Sequence, residues 1–195
     1  ISNNLDVYFI AMAFKDRLEM GVAGESVIAS WLRARGSTVL PVYEKIIDNG
    51  KGPQLYLPDK ELIAPDFFVF RCDGAIWIEA KHKTAFTWHR NTQRWVTGID
   101  IKHYEHYLEV NRVTPWKVWL LFLHQGGQAK DSPPDSPAGL FGNTLDYLSE
   151  HENHRHSNWG RYGMVYWRYE DLKLLATLEE IHEAKYGFMQ QSFQN

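Results

Sequence analysis

Apolar side chains recur at helical spacing from Arg17 to Arg35, at Leu18, Val22, Ile28, Ala29 and Leu32, and Gly36 supplies a stop. The preceding segment, Leu5–Phe14, is apolar and fits helix and strand alike. Thr38–Tyr43 reads as a short strand, and Ile46–Pro58, with Asn49-Gly50 and two prolines, as an exposed loop. Two β-rich runs follow, Leu62–Arg71 and Ala75–Lys81, divided by Asp73-Gly74, a strong hairpin signal. After a polar, aromatic-studded connection, Thr84–Gly98, Asp100 can cap a helix that runs to about Arg112 and stops at Thr114-Pro115. Trp116–Leu123 is almost continuously apolar, as expected of a strand buried on both faces. Gln125–Pro137 reads as a surface loop, Asn143–His151 as a short helix and Met164–Tyr169 as a strand. Leu172–Lys185 reads as a closing helix on Leu172, Leu175, Leu178 and Ile181, with a frayed polar tail from Gly187. The order predicts an α/β fold with a mixed central sheet flanked by helices, in one domain over 1–195 with its core at about 17–185.

The hairpin gathers charged groups. With Asp73 and Gly74 as its turn, Cys72 pairs with Ala75, and counting outward sets Phe68 opposite Glu79 and Asp66 opposite Lys81. Side chains alternate along a strand, so Asp66, Glu79 and Lys81 emerge on one face. Directly opposed residues stand roughly 5 Å apart and diagonal ones about 7–8 Å, close enough for two carboxylates to share one cation. Phe67, Val69, Ile76 and Ile78 on one face, and Phe68, Phe70 and Trp77 on the other, imply a central sheet covered on both sides. Charges at the end of such a sheet are costly to bury unless a metal or a substrate compensates them. Glu25 shares the helical stripe of Gly21, Val22, Ile28 and Leu32 and so points toward the core. Gly21 and Gly24 each lower helix propensity by about 1 kcal/mol, which suits a helix that approaches the sheet closely. Simpler roles stay open: Asp66 and Lys81 as a cross-strand ion pair, and Glu25 as a partner of Arg17 or a loop cap.

Composition narrows the setting. Of 195 residues, 44% are hydrophobic and 23% charged, which suits a globular chain. The net charge of −3 excludes a protein that coats nucleic acid by bulk electrostatics, so any phosphate contact is local. Cys72 is the single cysteine, which rules out an intrachain disulfide and fits a reducing cytoplasm. Val7–Phe14 is too short to span a bilayer and leads into Lys15-Asp16-Arg17, so neither a signal peptide nor a membrane anchor is expected. Between Lys81 and Lys102 the cations Lys81, Lys83, Arg90, Arg94 and Lys102 interleave with Phe86, Trp88 and Trp95 against a single acid, Asp100. This mixture suits backbone tracking and base stacking, with a solvated loop and core tryptophans as the alternative. On the following helix Lys102, His103 and Tyr107 are candidates for phosphate binding, with core packing the alternative for the tyrosines. His151, His154 and His156 do not match a zinc-ligand spacing.

Ala64-Pro65-Asp66 followed by Glu79-Ala80-Lys81, with Gly21-Val22-Ala23-Gly24-Glu25 on the preceding helix, resembles the PD-(D/E)XK superfamily, which includes restriction endonucleases and Holliday-junction resolvases. The likeness runs from Gly21 to His124, and Trp88–Tyr107 resembles phage or mobile-element members. The resemblance implies a restriction-endonuclease-like core and a Mg²⁺- or Mn²⁺-dependent deoxyribonuclease acting on DNA. Asp66, Glu79, the Ala80 carbonyl and, through water, Glu25 would hold the ion, and Lys81 would serve the attacking water or the phosphate. Lys83, Trp88, Arg90, Arg94, Lys102 and His103 would contact nucleic acid. A homodimer is compatible, since cutting two strands suits two active sites. The alternative is a non-catalytic nucleic-acid-binding module on the same fold.

Overall fold

The computed structural model describes residues 21, 23–42, 53–129, 131–158 and 162–192, with side chains as far as 185. The apolar segment Leu5–Phe14, the helix start at Arg17 and Leu18, Val22, Tyr43 and loop residues 46–52 lie outside the described residues. Helix α1 is described over 23–34 and ends where Gly36 turns the chain at φ +82°. Strands β1 (Thr38–Pro41), β2 (Gln54–Tyr56), β3 (Glu61–Ile63), β4 (Phe67–Arg71), β5 (Gly74–Lys83), β6 (Thr87–His89) and β7 (Arg94–Asp100) follow. Then come α2 (Ile101–Val113), β8 (Val118–His124), β9 (Gly139–Thr144), α3 (Leu145–Glu150), β10 (His154–His156), β11 (Met164–Arg168), β12 (Lys173–Ala176) and α4 (Leu178–Ser192). No helix among the described residues is long and apolar enough to cross a membrane.

The central six-stranded sheet runs β1-β4-β5-β8-β9-β12, and it is mixed because β5 and β8 pair in parallel while their neighbours are antiparallel. This is the α/β architecture expected, a mixed sheet flanked by helices. Alternation along β5 and β8 divides the core in two. Ile78, Ala80, Leu121 and Leu123 pack with Ile28, Trp31 and Leu32 of α1 and Ile181 of α4. Trp77, Leu120 and Phe122 pack on the other face with Tyr104, Tyr107 and Val110 of α2. β8 is buried along both faces, as its unbroken apolar run requires.

Several expectations need correction. The β4–β5 turn is Cys72-Asp73, because Arg71 pairs with Gly74 and Phe70 with Ala75. Gly74 spends its positive φ of +137° as the first residue of β5, and the Arg71 guanidinium bonds Asp73 across the turn at 2.7 Å. The register is therefore two residues from the expected one, which preserves the face of every side chain but moves each partner. Continued one step past Phe67↔Ile78, it sets Asp66 opposite Glu79 instead of Lys81. The connection Thr84–Gly98 is a hairpin, β6–β7, within a second, four-stranded sheet ordered β10-β11-β7-β6. Leu172–Lys185 is not one helix. β12 first completes the central sheet, and α4 begins after Thr177, where the Thr177 hydroxyl and the Glu180 carboxylate exchange capping bonds with each other's backbone N–H at 3.2 and 2.8 Å. Helix α4 continues past Gly187 to Ser192, where the polar tail was expected to fray.

Candidate active site

Two strands and two helices converge on a small cluster of charges. Asp66 lies just before β4, fixed between backbone anchors: its carbonyl accepts from Val42 N–H at 2.9 Å and its Oδ2 accepts from Ala80 N–H at 2.8 Å. Glu79 and Lys81 stand two residues apart on one face of β5 and form an ion pair. The Glu79 side chain is only 1% exposed, against 30% for Lys81, so the Lys81 ammonium is the charge that offsets its burial. One ammonium faces two carboxyls here, Glu79 and Asp66, so their burial is incompletely compensated.

The electrostatics follow from this crowding. Burial, then the adjacent Glu79 charge, pushes the Asp66 carboxyl up to about 7 against the pull of Lys81 and the Ala80 amide. Burial works against the Lys81 ammonium, but Glu79 and Asp66 together outweigh it and hold its pKa above the usual lysine value. On α2, Tyr107 packs beneath the pair. Burial and then the charges of Glu79 and Asp66 hold its phenol well above the ordinary tyrosine range. His103, one helical turn earlier, is pushed down by burial and by Lys81. Lys83 continues the row of Lys81 along β5 and has no ion-pair partner among the described residues. Burial and the Lys81 charge lower its pKa to about 8.

Glu25 reaches this cluster from the other side of the sheet. A Cβ on Gly24 would stand 2.4 Å from the Cβ of His82, so the glycine lets α1 cross directly over β5. The half-buried Glu25 carboxyl is raised first by burial and then by Asp66, while Lys81 lowers it, which places it within electrostatic reach of the pair. Among the described residues no three His, Cys, Asp or Glu side chains stand at ligand distance of one another. The donors suited to a divalent ion are therefore Asp66 and Glu79, with backbone and water oxygens to complete the shell. Such a set fits Mg²⁺, which is commonly held by one or two carboxylates and keeps several waters. Asp66 and Glu79 share a single cation, Lys81, so a divalent ion would supply the charge the pair still lacks.

The remaining residues expected at the nucleic-acid interface divide. Lys83 and His103 join the cluster. Lys102 is exposed, its ammonium 4.9 Å from the centre of the Tyr162 ring. Trp88 lies on β6 in edge contact with Trp95 at 5.0 Å. Arg90 pairs with Asp131 at 3.2 Å and Arg94 with Glu170 at 3.0 Å, acids from distant segments that a local count of charges could not include. The turn signal at Asn91 and the β-branched run Val96, Thr97 and Ile99 marked the β6–β7 hairpin, which an aromatic-rich loop reading passed over. Of the histidines at 151, 154 and 156, His151 stacks on Tyr147, and His154, on β10, on Tyr166.

No protein-family model matches the chain, and no curated protein matches it significantly. Among solved structures it is similar to the Holliday junction resolvase Hjc of the archaeal hyperthermophile Archaeoglobus fulgidus, at a TM-score of 0.47 and 10% identity over 77% of this chain and 90% of that one. It is also similar to a nuclease from a fusselovirus, at a TM-score of 0.39 and 15% identity over 90% of this chain and 94% of that one.

Proposed function

We propose that the chain is a metal-dependent nuclease that hydrolyses DNA phosphodiester bonds, with Asp66, Glu79 and Lys81 as its core. The observation that carries this reading is the placement of a buried Glu79 beside Asp66, with Lys81 as the cation shared by both and the Asp66 carboxyl raised to about 7. Two carboxylates forced together and desolvated favour a shared cation over solvent. Asp66 and Glu79 would hold Mg²⁺ or Mn²⁺, which when bound lowers the pKa of a ligated water and neutralises charge on the scissile phosphate. Ala80 offers a backbone carbonyl beside them, and Glu25 would act from the rim.

The other groups have distinct tasks. Lys81, held firmly protonated, serves as a cation toward the phosphate or the attacking water and is too basic to accept a proton at neutral pH. His103, biased toward the neutral imidazole, is the group in the cluster suited to accept one. Tyr107 stays a phenol and restrains Glu79. Lys83, free of a carboxylate partner among the described residues, is available to a neighbouring phosphate.

The test is incubation with branched, single-stranded and duplex DNA, with Mg²⁺ or Mn²⁺ and with chelator. Wild type should cleave only with the ion, and Asp66→Asn, Glu79→Gln and Lys81→Ala should each lower the rate by about 100-fold or more. Cleavage that survives all three substitutions removes the mechanism. Tight binding without cleavage under either ion would instead favour a non-catalytic nucleic-acid-binding module.

A further inference from the structure

A second feature lies on the four-stranded sheet, apart from the charged cluster. There the rings of His89, His154 and Tyr166 form a column. His89 stacks on His154 at 4.1 Å and 15°, and His154 on Tyr166 at 4.6 Å and 9°. The column is built into the backbone: His154 and Tyr166 are directly paired across β10 and β11, and a Cβ on Gly98 of β7 would stand 2.7 Å from Tyr166 Cδ1. Gly98 thus clears the space in which the Tyr166 ring lies. The column borders a groove of about 400 Å³ that Trp88, Arg90 and Asp131 also line. This volume lies in the range of small-ligand sites, roughly 300–1,000 Å³.

From this geometry we propose that the groove is a subsite for one unpaired DNA base, which stacks on the open face of His89 and extends the column, while Arg90 takes the adjoining phosphate. Three features select a nucleobase. No other ring covers the outer face of His89 among the described residues, and near-parallel flat rings match a base better than a sugar or an aliphatic side chain. Arg90 is largely exposed and, among the described residues, held by a surface pair with Asp131, which a phosphate can displace at little cost. Burial and the neighbouring His89 and His156 keep His154 below the usual histidine range, so the middle ring presents a neutral π face at neutral pH. The strand that carries Gly98 runs directly into α2, whose His103 and Tyr107 stand at the charged cluster. A strand seated in the groove is thereby aligned by the same element that supports the cutting site.

This subsite rests on the nuclease reading for its choice of DNA, and its test is independent of cleavage. Binding of a short single-stranded thymidine oligonucleotide is compared by fluorescence anisotropy, in chelator, with an abasic strand of equal length. Wild type should prefer the thymidine strand by about tenfold, the order expected of one stacked base. His89→Ala should abolish the preference, while His89→Phe, which keeps a flat ring, should retain it; circular dichroism melts confirm that both variants fold. Equal affinity of wild type for the two strands, no binding of either, or full preference in His89→Ala overturns the proposal. If base-dependent binding holds but no cleavage follows addition of Mg²⁺ or Mn²⁺, the subsite stands and the nuclease reading falls.

Discussion

His124, at the end of β8, is fully buried, stacks on Phe86 at 3.6 Å, and makes no hydrogen bond of good geometry through either ring nitrogen among the described residues. The Ala85 backbone lies near the ring without closing a bond of good geometry. Burial, then the Lys83 charge, lowers its pKa from 6.5 to about 3. Between these values the unfolded chain binds a proton that the folded chain refuses, so stability falls as pH drops below 6.5, by about 1.4 kcal/mol per pH unit. Above 6.5 the two states bind alike and the effect vanishes; below about 3 it levels off. Urea titrations of wild type and His124→Leu from neutral pH to pH about 4 should show the steeper acid loss in wild type. Parallel curves would show that the imidazole is not held neutral. At this scale Asp66, Glu79 and Lys81 were legible because strand alternation depends only on parity, which survived a two-residue error in register. Tyr107 was legible only as a candidate, since a tyrosine on an apolar helix face looks alike whether it meets a carboxylate or a leucine.

Helix α1 and strand β5 meet through a glycine, and that contact can be tested as a unit. Gly24→Ala puts a methyl 2.4 Å from the His82 Cβ, so α1 must lift from the sheet, at a loss of about 1–3 kcal/mol. Gly21→Ala meets nothing within 4 Å and should instead stabilise by up to about 1 kcal/mol through helix propensity. Denaturant midpoints of both variants check the pair; equal shifts would mean that α1 is not held against β5. Because Glu25 follows Gly24, the first substitution should also slow the proposed cleavage. Elements with their own end signals were readable: α2 begins at its Asp100 cap and ends at Thr114. Elements defined by partners were not. Lys173–Ala176 contains Leu175 of the helical series Leu172, Leu175 and Leu178 and is nevertheless a strand, because β9 presents an edge to it. The capping box Thr177 and Glu180 was the local signal for where the helix begins.

Across the whole molecule, an overall charge of −3 leaves the proposed DNA binding to a few local contacts. Arg94 is engaged by Glu170 and Arg90 belongs to the groove on the smaller sheet, which leaves Lys83 near the cluster without an ion-pair partner among the described residues. The dependence of log affinity on log salt should therefore be shallow, and Lys83→Ala should reduce its slope by about one, the share of a single phosphate. Titrations at several salt concentrations, with an unchanged slope in the variant, would reject that contact. The hairpin, the face shared by its charged residues and the close-crossing glycine helix were all inherent in the chain, because periodicity, turn chemistry and capping act between near neighbours. Strand order, the pairing that sets Asp66 against Glu79, the partners of the basic patch and the ring column on the smaller sheet arose only on folding. Those depend on which distant segments are brought within a few ångströms, and no local pattern encodes distances between segments scores of residues apart.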